Sequence, residues 1–355
     1  MTDVDDVGTG SSGLRGAGPT SSTVDVPREV RQRLPNLLVA GVPRGGTTSL
    51  FRYLAQHPDV CASRNKELRY FDAVRYGEPM LPLAAYAEHF AHCTGQRYRM
   101  EGTPGYFSGG QPVASAVDGL LDDPHVVVIL RDPVERCWSW YRFVRGRARI
   151  PKDMSFASYL DVCERLRARG TDALRENQAF AGLRGGCYDE WFDSWRTLFG
   201  DRLHVEFFDD LVADAPAVVG RVLRWLDVDA EPAASFRIDV ENASVQYRSK
   251  PVLQLALVLN RRGERFFERH ADLKRRLRKA YFGINRAPAV DRLGPAERER
   301  LTAFYEPHNA RLAASLRASG IPRLPRWLDP AHDPGQPGVA VSGLLPDPRR
   351  PDGAG

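Results

Sequence analysis

Leu37-Leu38-Val39-Ala40-Gly41 is a short unbroken apolar run, and Val42-Pro43-Arg44-Gly45-Gly46-Thr47-Thr48 follows it directly. An apolar run without polar alternation suits a strand covered on both faces, and so a parallel sheet between layers of helices. Glycines straight after such a strand, then an amphipathic stretch from Thr47 to His57, make a strand–loop–helix unit. The start of that helix aims free N–H groups and the positive end of its dipole at whatever the loop holds. Gly41 and Gly46 keep the G-x-x-x-x-G spacing of a phosphate-binding loop, but Thr47 stands where such a loop carries its lysine. The cation sits inside the loop instead, at Arg44. Together, Arg44, Gly45, Gly46, Thr47 and Thr48 are suited to grip an anion with several oxygens. A tight strand-to-helix turn would account for the glycines but not for an arginine and two threonines at one helix mouth.

A second apolar run, Val126-Val127-Val128-Ile129-Leu130, ends in Arg131-Asp132-Pro133-Val134-Glu135. Asp132 is a natural helix N-cap, Pro133 a natural first helical residue, and Glu135 has capping-box spacing. Ser139 lies six residues past Pro133, roughly 9 Å along a helix. Arg131 and Ser139 can therefore bracket one phosphate from two sides. Arg136 reads as a solvated helical arginine and Trp138 as a packing aromatic. Leu203–Phe207 and Arg97–Glu101 read as further strands, with a helix after Phe207 running to about Leu226. The fold class expected is α/β, a P-loop-like three-layer sandwich with a central parallel sheet flanked by helices. In such sheets ligands sit at the C-terminal strand ends.

Of the 355 residues, 27% are charged and 43% hydrophobic, which excludes a wholly disordered chain. Residues 1–33 (Gly, Ser, Thr and Asp) and 329–355 (Pro, Gly and Asp) read as disordered tails around one domain, 34–328. No apolar run reaches about 18 residues, so no transmembrane anchor is expected, and the acidic N-terminus is no secretory signal. Five widely spaced cysteines with no C-x-x-C argue against a disulfide framework or a zinc site, and for reduced thiols and a cytoplasmic location. The net charge of +5 is uneven. Residues 261–286 hold ten Lys/Arg against three Asp/Glu, a local +7 that leaves the remainder at −2. This segment also has an apolar stripe, Phe266, His270, Leu273, Leu277 and Tyr281, at helical spacing. A solvated helix face over core packing suits it better than nucleic-acid binding, and peripheral contact with a membrane surface stays open.

With both loops in view, G-x-P-R-G-G-T-T and L-R-D-P-x-E-R-x-x-S resemble the 5′-phosphosulfate loop and the 3′-phosphate element of sulfotransferases that use 3′-phosphoadenosine 5′-phosphosulfate (PAPS). The similarity runs from about Pro35 to Leu328 and points to bacterial members and to the Golgi heparan-sulfate type. It includes Lys66-Glu67-Leu68-Arg69-Tyr70-Phe71, Glu101-Gly102-Thr103-Pro104-Gly105-Tyr106-Phe107, Gly186-Cys187-Tyr188 with Trp195, and Tyr305-Glu306-Pro307-His308-Asn309. The resemblance implies in-line transfer of a sulfuryl group from PAPS, without metal, to a hydroxyl or amine of a carbohydrate, glycolipid or secondary-metabolite acceptor.

The roles carried over by resemblance are specific. Arg44, in place of the family's catalytic lysine, stabilises the leaving group. Gly45, Gly46, Thr47 and Thr48 bind the 5′-phosphosulfate, and Arg131 and Ser139 the 3′-phosphate, with Arg248 and Lys250 on a loop over the cofactor. Glu67 takes the acceptor's proton. Lys66, Arg69 and Tyr106 are candidates for substrate binding. Gly102 departs from the family, which often has a lysine there, and its work would shift to Arg69 or to the basic segment. Two readings compete: a P-loop kinase or NTPase, against which Thr47 speaks, and a catalytically inactive nucleotide-binding protein of the same fold. Acceptor identity and oligomeric state are not legible.

Overall fold

The computed structural model describes residues 27–231, 233, 236, 292–321 and 323–328. Arg248, Lys250, the basic segment 261–286 and most of both tails lie outside them.

Five strands form one parallel sheet: β1 (Leu37–Gly41), β2 (Val60–Ala62), β3 (Tyr98–Glu101), β4 (His125–Leu130) and β5 (Leu203–Phe207), in the order β2-β3-β1-β4-β5. Four of these are the strands expected from the sequence; β2, only three residues long, is too short to carry a periodic signal. Every residue of β1 is buried. Leu38 and Ala40 of β1, with Val126, Val128 and Leu130 of β4, face one core; Leu37, Val39, Val127 and Ile129 face the other. That two-sided burial is why these strands are apolar without alternation.

The helices are α1 (Arg28–Arg31), α2 (Thr47–Leu54), α3 (Asp72–Arg75), α4 (Leu83–Glu88), α5 (Gly110–Leu120), α6 (Pro133–Gly146), α7 (Phe156–Ala168), α8 (Asp189–Phe199), α9 (Phe208–Ala213), α10 (Ala215–Trp225) and α11 (Pro295–Ala318). Leu50, Phe51 and Leu54 of α2 and Val218, Val219 and Val222 of α10 cover one sheet face. Residues of α4, α5, α8 and α11 cover the other. A third cluster joins α6 and α7 to Leu301 and Tyr305 of α11. The helix expected to run from Phe207 to Leu226 is two, because Asp214 ends α9 and caps α10 by accepting from Ala217 N–H at 3.0 Å.

The cysteine expectation is corrected in part. Cys61 and Cys93 form a disulfide across 32 residues, with Cα atoms 5.8 Å apart, tying β2 to the loop after α4. Spacing hid it, because the chain returns past β2 only through the fold. Cys137, Cys163 and Cys187 are free and buried. No helix among the described residues is long and apolar enough to cross a membrane.

Candidate active site

Strands β1 and β4 are neighbours, yet the chain leaves β1 toward the β3–β2 side and leaves β4 toward β5. Such a reversal opens a crevice at the C-terminal strand ends, and both loops singled out above line it.

The β1 loop is built for close approach. Gly46 caps α2 with φ +90°, a left-handed conformation that glycine adopts without strain. A side chain at Gly45 would stand 2.7 Å from the carbonyl oxygen of Ile129, so only glycine lets the loop lie against β4. Arg44 itself has φ +72°, Glu67 +68° and Arg69 +59°. Non-glycine residues in this region carry strain and collect at functional sites, and here three candidate residues share the feature. Thr47 is buried in the first turn of α2, with Thr48 beside it.

The β4 loop meets the β1 loop directly. Asp132 caps α6 as expected, accepting from Val134 N–H at 2.8 Å and Glu135 N–H at 3.4 Å. Glu135 has a different partner from the capping box: its carboxylate accepts from Arg298 of α11 at 2.6 Å. Arg131 donates to the Arg44 carbonyl oxygen at 2.9 Å, and its guanidinium lies 4.3 Å from the Phe208 ring. Arg44 Nε donates to Ser139 Oγ at 3.0 Å. Ser139 and Arg131 thus tie the two loops together through Arg44.

The surroundings of Arg44 are strongly cationic. Burial, then the charges of Arg131, Arg142, Arg147 and Arg136, pushes the Arg44 guanidinium down to about 10. It stays charged at neutral pH, under a load that a bound polyanion would relieve. Arg136 corrects the reading of a solvated helical arginine. It is 1% exposed and spans from the Pro43 carbonyl oxygen (3.5 Å) to that of Gly182, clamping the loop from behind. Arg142 and Arg147 were missed altogether. Positions 136, 139, 143 and 147 recur at spacings of three and four, and position 142 lies three past Ser139, so helical spacing from Ser139 was the available signal for both. Arg44 lies 5.2 Å and Arg147 4.7 Å from the Phe143 ring on the same stripe.

The candidate base sits on a loop strapped to the end of β3. Glu67 N–H donates to the Gly102 carbonyl oxygen at 3.1 Å, and Arg69 N–H to Thr103 Oγ1 at 3.1 Å. Phe71 N–H donates to the Tyr106 hydroxyl at 3.3 Å. Beneath lies Glu101, fully buried, accepting from Thr103 Oγ1 at 2.6 Å, from the Tyr106 hydroxyl at 2.8 Å and from the Tyr86 hydroxyl. Burial raises the Glu101 pKa and these three hydrogen bonds pull against that rise. Tyr106 is therefore corrected from a substrate contact to a buried brace, 1% exposed. Glu67 carries Lys66 Nζ at 3.7 Å on one oxygen and Arg69 at 2.9 Å on the other. The later motifs are braces too: Tyr188 donates to the Arg131 carbonyl oxygen at 2.8 Å, Trp195 to that of Phe107 at 3.0 Å, and Tyr305 to that of Leu183 at 2.7 Å. His308 pairs with Asp189 at 2.7 Å.

An α/β sheet with arginines and glycines gathered at its switch point, and a carboxylate loop within electrostatic reach of Arg147, is a frame suited to holding an anion for group transfer. Residues 34–306 match the model of the sulfotransferase domain, and the chain belongs to that family. It is 30% identical over 198 residues to the mouse heparan sulfate glucosamine 3-O-sulfotransferase 6, covering 55% of this chain and 53% of that protein. It is 29% identical over 164 residues to the membrane-associated sulfotransferase kil1 of Dictyostelium discoideum, covering 43% of this chain and 34% of that protein. The chain thus spans about half, or less, of these relatives. The crystal structure of a sulfotransferase from Alicyclobacillus acidocaldarius superposes with a TM-score of 0.59 at 21% identity, over 83% of this chain and 99% of that one, which speaks for the fold.

Proposed function

We propose that this protein is a PAPS-dependent sulfotransferase acting on a hydroxyl, or an amine, of a carbohydrate or glycolipid acceptor. The observation that supports this is the arginine-rich junction that Arg44, Ser139 and Arg131 build from two neighbouring strand tips. Gly45, Gly46, Thr47 and Thr48 suit the 5′-phosphosulfate end of the donor, with Arg131 and Ser139 toward its 3′-phosphate. Arg44 faces charge that builds on the departing phosphate oxygen, and it acts there as a stabiliser, since a guanidinium gives up no proton at neutral pH. Glu67 accepts the acceptor's proton. The acceptor oxygen bonds to sulfur while the bond from sulfur to the 5′-phosphate oxygen breaks, and the electron pair leaves with that phosphate. Charge neutralisation by arginine suits a sulfuryl group, which carries less charge than a phosphoryl group, so no step calls for a metal. A carbohydrate acceptor is supported by the relatives named for heparan sulfate.

The test is calorimetry with the desulfated donor, 3′-phosphoadenosine 5′-phosphate (PAP), joined to a transfer assay with sulfur-labelled PAPS and heparan sulfate or glycolipid extracts. Stoichiometric PAP binding with label passing to an acceptor is expected. Absence of PAP binding, or magnesium-dependent turnover of ATP, would overturn the reading.

A further inference from the structure

We infer that Lys66 is a catalytic residue of this site, its ammonium donating to the oxygens of the group in transfer from a space that Gly102 keeps open. The inference rests on the sulfotransfer reading and goes beyond it by assigning a second cation to the reacting centre.

Gly102 follows β3 between buried Glu101 and Thr103. A Cβ at Gly102 would stand 2.7 Å from Cδ2 of Phe51 and 3.3 Å from Cε of Lys66. The aliphatic stem of Lys66 thus lies where a side chain at position 102 would emerge, and the two positions cannot both be filled without displacement. The stem ends in an ammonium 5.8 Å from the centre of the Phe51 ring. Its nitrogen is buried and has no hydrogen-bond partner. The nearest counter-charge, Glu67 Oε1, is 3.7 Å away, well beyond the length of a charge-assisted hydrogen bond.

An ammonium has three donors, and burying them unfilled is costly. Packing does not require it, because methionine would fill the same stem volume. A ligand oxygen would satisfy the site, and the sulfuryl group delivered beside Glu67 brings three. Desolvation lowers the Lys66 pKa, against the charges of Glu67 on its own loop and Glu101 on β3, while Arg52 on α2 adds to the lowering. Arg69 is the less suitable cation: half its side chain is exposed and it is already bound to Glu67 Oε2 at 2.9 Å. In the transfer step Lys66 keeps its proton. Glu67 takes the acceptor's proton, the new oxygen–sulfur bond forms, and the electron pair of the broken bond leaves on the 5′-phosphate of PAP.

The experiment compares PAPS and PAP binding by calorimetry in wild type and in Lys66→Met, which keeps the packing over Phe51 and Gly102. A group that touches the sulfuryl oxygens should cost PAPS affinity about tenfold or more and PAP affinity less than about threefold. Equal losses for the two nucleotides, or none, would overturn the inference while leaving the sulfotransfer reading intact. No PAP binding by wild type would overturn both. As a second readout, Lys66→Ala should recover transfer of labelled sulfuryl in the presence of ethylammonium, saturably, and a purely packing role predicts no such recovery.

Discussion

Around Arg44 the strongest neighbouring charges are four more arginines; Glu67 pairs with a lysine at 3.7 Å and an arginine at 2.9 Å, and Arg147 feels the charge of both sides. The two sides of the crevice also differ in how they are held. The β1 and β4 loops hold like charges together by donating them into backbone carbonyls and one serine hydroxyl: Arg131 to Arg44, Arg136 to Pro43 and Gly182, Arg44 to Ser139. The Lys66–Phe71 loop is strapped by its backbone N–H groups to the end of β3, over a buried carboxylate that three hydroxyls satisfy. One side carries like charges that a bound polyanion would relieve; the other carries charges of both signs and is placed by backbone hydrogen bonds. The first should govern donor charge, the second proton removal and acceptor geometry.

The largest effect should come from the side that carries Glu67. Glu67→Gln keeps the side chain's size and removes the base, so transfer should fall by about 10²–10⁴-fold. PAP affinity should change by less than about twofold, since Glu67 pairs with Lys66 and Arg69 and meets the arginine cluster only through the charge it exerts on Arg147. A Glu67→Gln enzyme of wild-type rate, measured with labelled PAPS, would move the base elsewhere and dissolve the division of labour.

Arg44→Ala tests the loaded side, and its two readouts should move in opposite directions. Turnover should fall by about 10²–10³-fold, as for loss of one donor to a developing oxyanion. Thermal stability without ligand should stay level or rise, because mutual repulsion within the cluster is relieved. PAP affinity should fall far less than turnover. A lower melting temperature with rate and affinity reduced in parallel would mean that Arg44 is mainly structural.

A smaller effect should separate strap from base. Tyr106→Phe removes one donor to Glu101 and the acceptor of Phe71 N–H. Leaving buried polar groups unsatisfied costs about 1–3 kcal/mol, read as a lower denaturant midpoint at unchanged slope. Transfer should drop severalfold at unchanged PAP affinity. Wild-type stability in this variant would show that the strap does not depend on the Glu101 network.

Both strand–loop–helix units could be read from the sequence because their signals are local: an unbroken apolar run, then Gly45-Gly46-Thr47 or Asp132-Pro133. What could not be read depends on return paths. Cys61 and Cys93 are 32 residues apart, and only the passage of the chain back past β2 brings them together. Arg136 looks solvated on a helix considered alone, and it is buried because the 181–182 carbonyls close over it. Tyr106 looks like an acceptor contact in a motif and is a brace because Glu101 lies beneath it. The Phe51–Gly102–Lys66 packing joins three segments, so Gly102 alone read as a loss.

The finest test of the loaded side uses an acid built into its frame, Asp132, which acts on Arg131 beside Glu135 and Asp209. Burial, with the neighbouring charge of Glu135, lifts the Asp132 carboxyl to about 6, against two backbone hydrogen bonds that pull it down. Its folded pKa is raised, so the folded protein holds more protons than the unfolded chain between about pH 4 and 6, and this group's contribution to stability falls as pH rises through that window. Asp132 adjoins Arg131, so its ionised form opposes an anion bound there. PAP should bind the protonated form more tightly, and binding should raise the Asp132 pKa further. The ligand's own phosphate also titrates near pH 6, and it cancels in the ratio of Asp132→Asn to wild-type affinity, since asparagine caps a helix as well as aspartate does. That ratio should be a fewfold above one at pH 7.5 and approach one by about pH 5. A ratio flat in pH would remove Asp132 from the electrostatics of the pocket and leave it as a helix cap alone.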